Sequence, residues 1–306
     1  MKAWMMAALA AAALSAPAHA KDANDFGVLV MAHGGGPQWN REVGDALAPL
    51  AREQPLEIAF GMADAASLQE GVERLQAQGV KRIGVVRLFV SGESWYERTA
   101  QIVGLAPGAP PRPAVGHSQH SGHGEHGGHR MEFWRLDSKA EFAMSHEGLM
   151  DAPEMGEVLA ERARGLSRDA AKEDVLILAH GPADDAEDAR WKAQLDGRAE
   201  RVRAALPFRR VQVETLREDW PDKREAAEAR IRAYVERANR EGGRALVVPF
   251  RVQGFGPYAK VLAGLDYASD GRGLVPSPQL TQWVQRQASQ LRTQFPAAAG
   301  SAAAAP

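Results

Sequence analysis

Two histidines and one histidine-rich tract are the side chains in this sequence best suited to hold a metal ion or move a proton. His33 ends the run Val28-Leu-Val-Met-Ala-His33 and is followed by Gly34, Gly35, Gly36 and Pro37; His180 ends Val175-Leu-Ile-Leu-Ala-His180 and is followed by Gly181 and Pro182. A neutral imidazole is a ligand for Co, Ni, Fe or Zn and titrates near neutrality, so one ring can both bind an ion and accept a proton. His117, His120, His123, His126 and His129 recur every third residue among glycine and serine. In an extended polyproline-type chain, three residues per turn set all five on one side, where they would chelate a divalent ion. A loop of that composition cannot preorganise catalysis, so the tract reads as a metal store or delivery arm.

The elements that must position these groups follow from the hydrophobic pattern. An apolar run bounded by glycine is a buried parallel strand, and Pro37 opens a helix over 38–52. His33 therefore sits at the carboxyl end of a central strand, the edge where open α/β sheets bind ligands. A strand over 56–60 and an amphipathic helix over 64–78 follow, the helix capped by Asp64 or Ser67 and stopped at Gly79. The strand over 82–90 leads into Ser91-Gly92-Glu93-Ser94-Trp95. Further strands are expected over 131–136, 210–215 and 245–252. Helices are expected over 152–166, where the first lobe closes, and over 184–206, 221–240 and 279–294. Such alternation implies parallel sheets covered by helices on both faces. The repeated Ala-His-Gly strand divides the chain into two like lobes.

The first twenty residues have the parts of a secretory signal peptide: Lys2, an apolar alanine-rich run to Leu14, and Ala18-x-Ala20 for cleavage after Ala20. The expected organisation is a signal peptide (1–20), an N-terminal lobe (21–166) with a disordered Pro/His-rich insertion (105–130), a C-terminal lobe (167–295) and a disordered tail (296–306). The mature protein is expected in the periplasm, with no other segment apolar enough to span a membrane. The net charge of −2 gives no reason to expect nucleic acid as a partner. The absence of cysteine excludes thiolate zinc sites, iron–sulfur clusters and disulfides. A phosphate site at the Gly34-Gly35-Gly36 turn would exploit a helix N-terminus, but the chain lacks a P-loop lysine there.

With both His-Gly strands, Met62-Ala63-Asp64 and the Leu88-Phe89-Val90-Ser91 loop in hand, the chain resembles the class II chelatases, the CbiX-type sirohydrochlorin cobaltochelatases and their ferrochelatase relatives. The resemblance covers residues 26–294. It implies two flavodoxin-like lobes, a tetrapyrrole in the cleft between them against loops that include Gly34, Gly35 and Ser91, and insertion of a divalent ion, with no organic cofactor. It assigns His33 as metal ligand and proton acceptor. It also sets Arg87 where the family has proline and Glu93 where it has a second histidine. A carboxylate at 93 still binds a divalent ion and accepts protons, so His33 and Glu93 form the implied catalytic pair. In the second lobe Phe255 stands opposite Glu93 and His180 is expected to be structural. His146, in Ala143-Met-Ser-His-Glu147, is expected to cap or line the cleft. Two fused lobes supply internally the pairing that single-lobe relatives obtain by dimerising, which implies a monomer. The alternative to a chelatase is an exported metal- or tetrapyrrole-binding protein that kept the fold without turnover.

Overall fold

The computed structural model describes residues 25–113 and 131–296. The histidine tract, the expected signal peptide and the end of the tail lie outside them. Two four-stranded sheets, each wholly parallel, carry the fold. The first contains β1 (Phe26–Ala32), β2 (Leu56–Phe60), β3 (Arg82–Leu88) and β4 (Glu141–Met144) in the order β2-β1-β3-β4. The second contains β5 (Glu173–Ala179), β6 (Arg210–Thr215), β7 (Arg244–Phe250) and β8 (Tyr267–Ala268) in the order β6-β5-β7-β8. Each sheet therefore reverses direction beside its first strand, and the crevice at such a switch point opens at the strands' carboxyl ends.

The helices are α1 (Pro37–Glu53), α2 (Ala65–Ala77), α3 (Tyr96–Val103), α4 (Pro153–Leu166), α5 (Asp185–Ala205), α6 (Pro221–Arg240), α7 (Tyr258–Val261) and α8 (Pro278–Arg292). Asp64 is the cap of α2, its carboxylate accepting from the Ser67 amide at 2.9 Å. Of the two caps the sequence allows, Asp64 serves because its second oxygen also accepts from the Glu132 amide, 2.7 Å away.

Burial alternates along the central strands. Leu29 and Met31 face a core formed with α2 and α3, while Val28 and Val30 face the other way. In β5, Leu176 and Leu178 face α6 and α7, while Val175 and Ile177 face the other way. The inner faces of both sheets meet one shared core built by α1, α4, α5 and α8.

That shared core corrects the expectation that α4 closes the first lobe. The helix leaves the first sheet and packs on α5 and β7 of the second, while α8, from the end of the second lobe, packs on α1, β3 and β4 of the first. The two lobes exchange their last helices. An amphipathic stripe is satisfied by any matching apolar face, so periodicity could not tell which sheet α4 meets.

Two further expectations are corrected. Residues 131–136 form no strand: a single bridge joins Pro111 to Arg135, and the fourth strand is β4. The apolar positions there are instead spent on packing, with Trp134 and Leu136 buried against α2 and α3 and the Leu136 amide donating to the Ile102 carbonyl at 2.9 Å. Residues 105–113, expected to be part of a disordered insertion, lie against the first lobe. The Pro110 carbonyl accepts from the Arg135 amide at 2.7 Å, and Arg112 covers the Trp134 ring at 4.9 Å. Helix α3 was not expected; it starts at Trp95 in a left-handed conformation (φ 59°) directly after the Glu93 loop.

Candidate functional site

His33 is exposed one residue beyond β1. Gly34 takes a positive φ of 80°, which turns the chain sharply toward α1 and which glycine adopts without strain. This turn brings the Gly34 carbonyl 2.8 Å from His33 Nδ1. With Nδ1–H donated there, the Nε2 lone pair points away from the backbone and is available to an ion or a proton. The Gly35 amide, 3.0 Å from Asn40 Oδ1, ties the exposed loop to α1. Strands β1 and β3 are neighbours, Ala32 pairing with Leu88, so His33 and the Ser91–Glu93 loop leave adjacent strands at one sheet edge.

Glu93 lines a cleft of about 470 Å³ between the lobes, with Ser91, His146 and Glu147 on one wall and Arg190 and Gln194 of α5 on the other. His33 is not in that lining. The two residues of the implied pair therefore share an edge of the sheet, and the imidazole that lines the cleft together with Glu93 is that of His146. Ser91 is buried, and its Oγ accepts from the Glu93 amide at 3.2 Å, which fixes the loop. His146 packs its ring on Tyr96 at 4.9 Å.

Glu147 belongs to the lobe contact. It accepts from both terminal nitrogens of Arg286 on α8, Nη2 at 2.6 Å and Nη1 at 2.9 Å, and from Trp283 Nε1 at 2.9 Å. Arg286 also holds Glu154 of α4 at 2.7 and 2.8 Å, so one side chain clamps both exchanged helices beside the cleft. Burial pushes the Glu147 carboxyl up, but the Arg286 and Trp283 hydrogen bonds outweigh it and hold it below the usual 4.5. A carboxyl depressed on folding contributes stability above its unfolded value, and that contribution is lost as the pH falls through the folded one. Urea midpoints of wild type should therefore fall more steeply than those of Glu147→Gln as the pH is lowered through and below 4.5.

The second Ala-His-Gly motif repeats the backbone of the first but not its chemistry. Gly181 has φ 85° and its carbonyl lies 2.7 Å from His180 Nδ1. His180 Nε2, however, is taken by Asp219 at 2.8 Å and Glu218 at 3.3 Å, and Trp220 packs edge-on against the ring. Glu218 is bound in turn by Arg251 at 2.6 Å. Phe255, opposite Glu93 in the chain repeat, packs on Tyr258 and Tyr267. Sequence reasoning missed Asp219 and Glu218 as partners of His180, since they follow a different strand, β6. Removing Glu218 leaves the largely buried Arg251 without its carboxylate, so Glu218→Ala should lose about 2 kcal/mol in urea unfolding.

Among the described residues, no group of three or more His, Asp or Glu side chains forms a metal cage. His117, His120, His123, His126 and His129 lie outside the described residues. No helix among the described residues is long and apolar enough to cross a membrane.

Neither a family model nor a curated protein matches the chain. Solved structures do. The sirohydrochlorin chelatase SirB of Bacillus subtilis, in a structure with Fe3+, superimposes with a TM-score of 0.56 at 15% identity, covering 89% of this chain and 98% of that one. In a structure with cobalt it gives 0.54 at 13%, with the same coverage. A multi-domain protein of Deinococcus radiodurans, described as structurally similar to chelatases and carrying two additional domains, gives 0.54 at 19% identity and covers 87% of this chain. The chain spans 55% of the length of that protein. The fold is chelatase-like. The chelatase-like architecture extends over both lobes, and its β1 and β3 tips are where His33 and the Glu93 loop stand.

Proposed function

We propose that this protein binds a divalent ion, Co2+, Ni2+ or Fe2+, at His33 and inserts it into a sirohydrochlorin-type tetrapyrrole held between the lobes. The observation that carries the reading is the difference between the two histidines: among the described residues Nε2 of His33 is unengaged at the switch-point edge, whereas Nε2 of His180 is bound by two carboxylates. Insertion exchanges an ion for two pyrrole protons. His33 suits both halves of that exchange in sequence, first as a ligand that delivers the ion and then, its lone pair freed, as acceptor of one proton. Glu93 holds the incoming cation and balances its charge, and the second proton leaves to the carboxylate or to water. SirB, itself a sirohydrochlorin chelatase, supports the choice of macrocycle through its fold. The histidine tract would bind and supply the ion. Export to the periplasm, with cleavage after Ala20, and a monomeric state are part of the same proposal.

The test is metallation itself. Mature protein incubated with sirohydrochlorin and Co2+ or Ni2+ should change the macrocycle's absorption faster than the metal-only blank. A rate equal to the blank would end the enzymatic reading. A second reading, a metal- or tetrapyrrole-binding protein without turnover, is favoured by Glu93 standing where the resembled family has histidine and by the export leader. Tight binding without a rate would select it.

A further inference from the structure

Arg87 is the residue of β3 that no part of the proposed chemistry uses, and it is 1% exposed. A guanidinium taken so far out of water needs partners for its donors. Among the described residues every hydrogen-bond partner of this side chain is a backbone carbonyl. Nε donates to Ser145 at 2.9 Å, Nη1 to Ser94 at 2.7 Å, and Nη2 to Gly92 at 2.5 Å and His146 at 3.3 Å. The Arg87 amide adds a bond to Ser145 Oγ at 3.0 Å, and the guanidinium lies 4.6 Å from the centre of the Tyr96 ring. Burial pushes it down to about 10, so it keeps its charge at neutral pH.

These carbonyls belong to two different loops. Gly92 and Ser94 flank Glu93; Ser145 and His146 directly follow β4, and His146 is the imidazole that lines the cleft. The loops also touch backbone to backbone: an alanine Cβ at Gly92 would run into the His146 carbonyl, and one at Gly148 into the Gly92 amide. The planar fork of arginine suits this arrangement, because its donors diverge in one plane toward carbonyls on both sides. In the second lobe the corresponding strand position is Pro249, and the nearby Arg251 binds the Glu218 carboxylate instead of loop carbonyls.

We propose that Arg87 is a positioning residue: by bridging the carbonyls of the 92–94 and 145–146 loops, it presents Glu93 and His146 to the cleft as one pair for a divalent cation. This rests on the reading of Glu93 as a residue that handles the ion, and it adds His146 to that role. A group that orients ligands from behind typically governs affinity by about tenfold or more.

The test uses the full chain in a background where His117→Ser, His120→Ser, His123→Ser, His126→Ser and His129→Ser silence the tract. Co2+ binding is followed by visible absorption and calorimetry, with thermal melting to confirm folding. Arg87→Met should weaken Co2+ binding about tenfold and Arg87→Lys should restore part of it. In a double-mutant cycle, Arg87→Met should add little to Glu93→Gln or to His146→Ala, which a role confined to stability would not produce. Should Arg87→Met fail to fold, Arg87→Lys and Gly92→Ala, which spreads the loops by a different route, carry the same cycle. Wild-type affinity in any folded Arg87 variant, additive effects in the cycle, or failure of all three variants to fold would overturn the proposal. Absence of metallation in the wild type would sink the chelatase reading alone and leave this measurement intact.

Discussion

His33→Ala is expected to slow metallation of sirohydrochlorin by about a hundredfold or more, the range over which a positioned proton acceptor contributes. The side chain is exposed and among the described residues its one hydrogen bond is to the adjacent Gly34 carbonyl, so its removal leaves the strand and the core untouched. A loss of rate with an unchanged urea midpoint therefore reports chemistry and not folding. The matched control is His180→Ala. That ring has the same turn behind it, but its Nε2 is committed to Asp219 and Glu218, so the rate should stay within about twofold of wild type while stability falls by about 1 kcal/mol. Equal rates for His33→Ala and wild type would remove His33 from the mechanism even if the protein proves to be a chelatase.

Trp283→Ala is expected to produce the largest loss of stability of any single change considered for this protein, about 3–5 kcal/mol in urea unfolding. Trp283 is among the largest fully buried side chains, and it lies on α8, the helix that the second lobe contributes to the first. Its removal opens a void in the core that both sheets share, and it deprives Glu147 of the indole donor. Because total stabilities are commonly about 5–15 kcal/mol, this variant should approach the unfolding threshold near physiological temperature. The same substitution should loosen the cleft, since Glu147 lines it and would lose one of the donors that hold it to α8. Amide exchange in the 145–150 segment should rise more than exchange in β5, which lies in the other sheet.

The central strands, the helix that begins at Pro37, the Asp64 region as the start of α2 and the position of His33 at a strand tip were all legible in the sequence. Each is set by interactions within a few residues: continuous apolar runs, glycine after the run, proline at the first helical turn, a carboxylate that reaches an amide three residues on. The edge elements were less legible. β8 has two residues and α7 four, too few to show a period. Residues 131–136 alternate like a strand but spend that alternation on packing.

What the amino-acid order determined by itself was the kind of protein: two parallel-sheet lobes, each presenting a histidine at the end of its first strand. What tertiary structure decided was which histidine is left without a carboxylate partner among the described residues, which imidazole joins Glu93 in lining the cleft and which sheet each closing helix covers. Asp219, Glu218 and Arg251 come from different strand ends to occupy His180, Arg87 draws together loops that lie more than fifty residues apart in the chain, and α4 and α8 trade sheets. None of these leaves a local trace, because a carboxylate, a guanidinium or an apolar stripe has the same sequence signature whichever distant partner satisfies it, and only packing in three dimensions selects the partner.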